Sequence, residues 1–294
     1  MLENNKKIGF LLFEKWHNKK HLGSSRIRGH WLIKNWPEAE LYVQSGKYDV
    51  IIFQKCYWPE YVKAYKGIKI LDVCDPDWLD EVPFKEMLDN CDAITTSSEA
   101  LRDGIKKFAE NKPVVYIPDR QDLSFHNVRK QHKDKAKRVI WFGYSHNANV
   151  LDRVISTLKK HDLKLTVLSC CRPPYSKADN NIKYEWDNPD FDFNKIMIEH
   201  DFVIMPDNPT PRGMYKSKNK TYTAWALNLP VASNRDDLIR FLDPEERRKE
   251  AEKRFKEVVE KYDVKQSVLD FKKLIKQINA NKNENKRKDN NFGQ

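Results

Sequence analysis

No run of about 18 apolar residues occurs anywhere in the chain, so no segment reads as a membrane-spanning helix. CxxC pairs are missing as well. The five cysteines, Cys56, Cys74, Cys91, Cys170 and Cys171, are odd in number, follow no zinc or redox spacing, and read as buried thiols. No internal repeat stands out beyond a weak similarity between two halves. These absences set aside membrane-spanning, zinc-binding and redox classes and leave a soluble protein, expected in the cytoplasm.

What is present is enough apolar material for two cores. Hydrophobic residues make up 39% of the 294 and aromatics 12%, which argues against a wholly disordered chain. The length suits two domains of about 100 to 200 residues. A formal charge of +11, from 54 Lys and Arg against 43 Asp and Glu, favours anionic partners: nucleotide phosphates, nucleic acid or an acidic surface. Part of that excess is a Lys and Asn bias, visible in the run from Asn281 to Lys288, and is discounted as a sign of nucleic-acid binding.

Apolar runs of strand length alternate with helical patterns from the start, the mark of an α/β protein with parallel sheets covered by helices. Strands are expected at Ile8 to Phe13, Leu41 to Gln44, Val50 to Gln54, Ile68 to Val73, Ala93 to Thr96 and Val114 to Ile117. A second set follows at Val139 to Phe142, Lys164 to Leu168, Ile182 to Glu185, Phe202 to Met205 and Val231 to Ala232. A helix from Asn149 to Lys159 would place Val150, Leu151, Val154, Ile155 and Leu158 on one core face. The expected organisation is a first domain over 1–126, a basic connection over 127–137, a second domain over 138–242, helices over 243–280 and a disordered tail over 281–294.

Four stretches carry candidate chemistry. After the strand ending near Met205, a Pro and Gly loop leads to a helix beginning near Lys218. Its mouth, with unpaired N–H groups and the positive dipole end, suits a diphosphate. Lys216 and Lys220 would add charge there, and Ser217, Asn219 and Thr221 donors; plain helix capping by Ser217 or Asn219 explains the same residues equally well. The loop Leu22 to Gly29 offers Gly23 and Ser24 for close backbone approach and Arg26 or Arg28 for phosphate oxygens. In Trp141 to Asn147 a strand end is followed by Gly143, Tyr144 and Ser145, again a diphosphate-type turn. Asp75, at a strand end in Asp75-Pro76-Asp77, could orient or deprotonate an acceptor hydroxyl, or merely cap a turn; as a DxD metal motif the triplet is weak, and no essential metal is expected.

The run Lys216 to Lys220 followed by Ala224 to Ser233 resembles the donor-site segment of GT-B fold glycosyltransferases, close to the GT4-like group. Cys91 to Arg102 followed by Val114 to Asp119 is similar to their acceptor domain. The resemblance covers most of residues 6–242 and rests on the order of the motifs. It implies two facing Rossmann-like domains, the nucleotide held mainly by the second, the acceptor by the first, and retention at the anomeric carbon. It also puts Thr223 where the family often has a ribose-binding Glu, and Tyr144 and Ser145 where it often has Arg or Lys. The expected activity is sugar transfer from a nucleotide diphosphate sugar, used as substrate without further cofactor, to a hydroxyl of a glycan or small molecule. A DNA acceptor such as a hydroxymethylated base is the second candidate, in view of charge and of Trp16, Trp31, Tyr57 and Trp58. The alternatives are a noncatalytic nucleic-acid-binding protein on the same scaffold and a nucleotide-sugar epimerase. The sequence does not fix the oligomeric state.

Overall fold

A computed structural model describes residues 6–17, 22–169, 174–185, 188–207 and 209–292, with side chains to residue 284. Cys170 and Cys171 lie outside the described residues; Cys56 and Cys91 are buried thiols and Cys74 is half-buried. The chain forms two compact units. One comprises 1–120 with 211–217 and 264–294, the other 121–210 with 218–263. The first division thus falls at Arg120, a few residues before the expected 126, and the final helical segment belongs to the first unit.

In the first unit the strands β1 (Ile8–Leu12), β2 (Ala39–Leu41), β3 (Val50–Gln54), β4 (Ile68–Val73), β5 (Ala93–Thr96) and β6 (Val114–Tyr116) form one parallel sheet in the order β2-β1-β3-β4-β5-β6. β1 and β3 are buried at every residue. Helices covering both faces remove the polar alternation, so such strands read as continuous apolar runs. Ser98 caps the helix Glu99–Lys106 by accepting from the Leu101 N–H at 3.1 Å.

The second unit holds β7 (Arg138–Gly143), β8 (Lys164–Ser169), β9 (Asn180–Lys183), β10 (Phe202–Ile204) and β11 (Val231–Ala232), parallel in the order β11-β10-β7-β8-β9. Alternate residues of β7 serve opposite cores: Val139 and Trp141 pack with Leu151, Leu165 and Phe241, and Ile140 and Phe142 with Leu168, Phe193 and Leu229.

Two expected helices differ. The segment expected as one helix over Asn149 to Lys159 is a 3₁₀ run, Ser145–Arg153, followed by a short α-helix, Ile155–Lys160, with Val154 at φ −114° between them. Val150, Leu151, Val154 and Leu158 are buried as the pattern required; the clustered β-branched residues favour the broken path. The last helix runs Val264–Phe292, past residue 280. The helix Phe193–Ile198, capped by Asp192, had no counterpart in the sequence reading.

Sheet order fixes where each unit can hold a ligand. The chain runs from β1 outward to β2 and then crosses back past β1 to β3, and from β7 outward through β8 and β9 and back past β7 to β10, so the switch points, where ligands bind in open parallel sheets, lie at the carboxyl ends of β1/β3 and of β7/β10.

Candidate functional site

At the carboxyl end of the first unit's sheet the loop after β1 is braced from below. Gln54 Oε1 accepts from the Phe13 N–H at 3.2 Å and the Ser25 hydroxyl at 3.1 Å, and Ser25 Oγ accepts from the Glu14 N–H at 3.2 Å. Gly23 and Ser24 open the short helix Gly23–Ser25, and no atom lies within 4 Å of a Cβ built on Gly23, so packing does not demand glycine there. The Arg26 guanidinium lies over the Trp31 ring, 5.8 Å from its centroid. Arg28 is no phosphate ligand. It is buried, with Nε 2.8 Å and Nη2 2.5 Å from the Asp72 carboxylate, and Nη1 2.8 Å from Asp119 Oδ1 and 2.9 Å from the Ile117 carbonyl oxygen. Burial opposes its charge, but the two carboxylates hold it well above the ordinary arginine range.

Asp75 follows β4 and meets two cations. Lys55 Nζ is 2.5 Å from Oδ2, and Lys216 pairs with Oδ1. Lys55 also lies 3.4 Å from Asp77 Oδ1, and Asp77 Oδ2 accepts from the buried Tyr57 hydroxyl. The two carboxylates are driven apart. Burial pushes both up, but at Asp75 the ammoniums of Lys55 and Lys216 outweigh it and hold the carboxyl below its usual range. At Asp77 burial wins over Lys55 and the Tyr57 hydrogen bond, with Asp75 adding repulsion, and the carboxyl titrates above its usual range. Burial also works against the Lys55 charge, yet Cys74, Asp77 and Asp75 together keep it well above the lysine norm. Lys55 takes a left-handed backbone, φ 52°, which turns the chain immediately after β3.

Lys216 and Ser217 belong to this unit through the segment 211–217. The Ser217 hydroxyl donates to Asp119 Oδ2, the Ser98 hydroxyl donates to the Tyr215 carbonyl at 2.7 Å, and the Tyr215 ring stands edge-on to Trp78 at 5.1 Å.

In the second unit Gly143 ends β7 at the crevice, with φ 158°. A Cβ there would sit 2.7 Å from Lys220 Nζ and 3.0 Å from the Trp141 ring, and Lys220 Nζ lies 5.4 Å from that ring's centroid. The strand-end glycine and the lysine of the downstream helix, 77 positions apart in the sequence, thus share one spot. The helix Asn219–Ala226 begins there, and its N-cap residue Lys218 makes no side-chain capping bond. Thr221 is half-buried in the first turn. Thr223 is turned inward: its hydroxyl has Gln121 Oε1 and the Asn219 carbonyl oxygen as acceptors, each 2.9 Å away. Tyr144 is exposed and stacks on His146 at 5.8 Å, and Ser145 starts the 3₁₀ run. The sequence candidates therefore form two groups, Gly143 with Lys220 in one unit and Asp75 with Lys216 in the other.

Lys55, Asp77 and Tyr57 were missed as partners of Asp75. Their signal was available: Lys55 and Asp77 are charged residues just beyond strongly apolar strands, where ligands bind in this architecture. Among the described residues no group of three or more His, Cys, Asp or Glu could hold a metal ion, and no helix is long and apolar enough to cross a membrane.

No family model and no curated protein matches the chain. Solved structures do. HepE of Anabaena in complex with UDP aligns with a TM-score of 0.59 at 11% identity over 92% of this chain and 100% of that one. The DNA-modifying enzyme beta-glucosyltransferase aligns with a TM-score of 0.56 at 13% identity over 92% and 99%. TarM of S. aureus, in a mutant complexed with fondaparinux, alpha-GlcNAc-glycerol and UDP, aligns with a TM-score of 0.53 at 12% identity over 83% of this chain and 56% of that chain, so this chain spans little more than half of TarM's length. At such identities the likeness is one of fold, and the fold is the two-unit parallel α/β architecture of GT-B glycosyltransferases.

Proposed function

We propose that the protein is a glycosyltransferase that takes a sugar from a nucleotide diphosphate donor. The observation that carries this reading is the convergence of Gly143 and Lys220 at the crevice of the second unit. A residue without a side chain lets the donor diphosphate approach the backbone. The Lys220 ammonium and the amides opening Asn219–Ala226, with Asn219 and Thr221, then meet its charge. As the bond to the anomeric carbon breaks, these fixed donors stabilise the negative charge growing on the departing diphosphate, without a metal in this reading.

Asp75 is assigned to the acceptor. Held ionised by Lys55 and Lys216, it accepts a hydrogen bond from the attacking hydroxyl and orients it; so acidic a carboxylate takes the proton only late in the reaction. Tyr144 and Ser145, after Gly143, complete the donor assignment in the second unit. The outcome proposed is retention, and the acceptor a glycan or small-molecule hydroxyl in the cytoplasm. The net charge of +11 favours a hydroxymethylated DNA base as the second acceptor class.

A thermal-shift panel of UDP-, GDP-, ADP- and CMP-sugars tests the donor site, with UDP-sugars first because the HepE and TarM structures hold UDP. A donor at a hundred times its Kd should stabilise the protein by about 2.7 kcal/mol. Lys220→Ala should abolish that shift, and Gly143→Val should do the same by filling the approach. Absence of any shift, together with salt-sensitive DNA binding, would replace the transferase by a nucleic-acid-binding scaffold.

A further inference from the structure

β1 ends at Leu12 and β3 at Gln54, and four residues beyond each end stands a tryptophan, Trp16 and Trp58. Their ring centroids are 5.3 Å apart with the planes tilted by 41°. Trp58 is half-buried and fixed from behind: it stacks on Tyr61 at 4.6 Å, Tyr61 stacks on Tyr65 at 5.9 Å, and Tyr42 meets Tyr61 edge-on at 5.8 Å. Trp16 is the outer member, 39% exposed. Trp31 and Tyr57, singled out beside them in the sequence, are buried in the unit and are not part of this surface. An indole left open to solvent on a stacked aromatic base, at the switch point of a parallel sheet, is placed as a ligand platform.

The charges around the pair select what can lie on it. Lys55, which begins the turn leading to Trp58, is engaged with Asp75 and Asp77. Lys15, next to Trp16, donates to the Tyr42 carbonyl at 2.6 Å. Glu14 pairs with His30. Of these two lysines, Lys55 is matched by two carboxylates and Lys15 is committed to a carbonyl, whereas a polyanion needs cations facing its phosphates. A pyranose presents weakly positive C–H groups to the negative face of an indole and brings no charge.

We propose that Trp16 and Trp58 form the stacking floor of the acceptor site and that the acceptor is an uncharged glycan. One sugar ring lies on Trp16, and the reacting hydroxyl points along the sheet edge toward Asp75. Asp75 follows β4, two strands from β1, or about 10 Å at the usual strand spacing. This assignment rests on the glycosyltransferase reading above and narrows its acceptor to one class.

The test is an array of neutral glycans alongside single- and double-stranded oligonucleotides, followed by tryptophan-fluorescence titration of whatever binds. At least one neutral glycan should bind, Trp16→Ala should weaken it about tenfold, and Trp16→Phe should retain most of the affinity. Trp16 is exposed, so both variants should keep the wild-type melting temperature and the nucleotide-sugar shift. The proposal is overturned if no neutral glycan binds, if Trp16→Ala and Trp58→Ala both bind as the wild type does, or if oligonucleotides bind in a Trp16-dependent, salt-sensitive way. Trp16-dependent glycan binding without any nucleotide-sugar shift would sustain the platform while removing the transferase reading, so the two ideas fail separately.

Discussion

Among the described residues each unit buries one arginine, and the two are satisfied differently. Arg28 in the first unit is enclosed by the carboxylates of Asp72 and Asp119, and the Thr95 hydroxyl completes Asp72 at 2.6 Å. Arg247 in the second faces no carboxylate directly. Nη1 donates to the carbonyls of Phe241 at 2.6 Å and Leu242 at 3.1 Å, Nη2 donates to the Asp134 carbonyl, and Nε lies 3.4 Å from His132 Nδ1. Burial lowers the Arg247 pKa, against the attraction of Asp201, Asp243 and Asp134, whereas Arg28 is raised. One arginine closes a charge network within the first unit; the other staples the loop at 132–134 to the helix end at 241–242. The first kind of bond leaves behind bare charges when broken, the second only neutral acceptors, three carbonyls and the His132 Nδ1.

That difference is measurable. Arg28→Met should cost about 3 to 5 kcal/mol, because Asp72 and Asp119 would remain buried without their counterion. Arg247→Met should cost less than Arg28→Met, because the acceptors it leaves behind are neutral and a neutral group left unpaired costs less than a charged one. Chemical denaturation of both variants checks the order, and equal losses would break the comparison.

Acid should separate the units as well. His132 Nε2–H donates to the Asn228 carbonyl at 2.9 Å, which leaves Nδ1 as the acceptor facing Arg247 and keeps the ring neutral. Burial, with Arg247 and Lys130 nearby, lowers its pKa to about 4, against the Asn228 hydrogen bond and Asp201. An unfolded histidine takes up its proton near pH 6.5 and the folded one refuses it until about 4, so stability is complete above 6.5 and falls as the pH drops through that window. Asp75, with its lowered pKa, acts in a different range: its contribution is full above the unfolded value of about 3.9 and disappears only below it. The melting temperature should therefore decline first through the second unit, and His132→Asn should flatten the decline between pH 6.5 and 4. An unchanged slope in that variant would refute the assignment.

Strand-level structure was readable because buried parallel strands are unbroken apolar runs: Val50–Gln54, Ile68–Val73, Ala93–Thr96 and Val231–Ala232 fall where the pattern put them. β9 was not so readable. Its Asn180–Lys183 is polar and mostly exposed, its place is set by pairing with β8, and the expectation of Ile182 to Glu185 followed the only apolar residue there. In the site, Gly143 and Lys220 announced themselves through local signals, a glycine at a strand end and a lysine in a helix's first turn. The Arg28 network did not, since Asp72 and Asp119 lie 44 and 91 positions away and nothing local marks Arg28 as buried. Nor does sequence tell Lys216 from Lys220: four residues apart, they fall in different units.

The smallest expected effect tests whether the Arg28 network acts as one body. Ser217 donates to Asp119 Oδ2, while Asp119 Oδ1 keeps its bond from Arg28. Ser217→Ala removes one donor from a carboxylate that stays paired, so the loss should be about 1 kcal/mol, or roughly 2 to 4 °C in melting temperature. A loss approaching that of Arg28→Met would mean that Asp119 is held only when both partners are present, and the network would have to be treated as indivisible. The same variant separates two roles for Ser217. If its hydroxyl serves Asp119 alone, the nucleotide-sugar shift survives in Ser217→Ala; if it reaches the donor, as the sequence motif suggested, the shift shrinks together with stability.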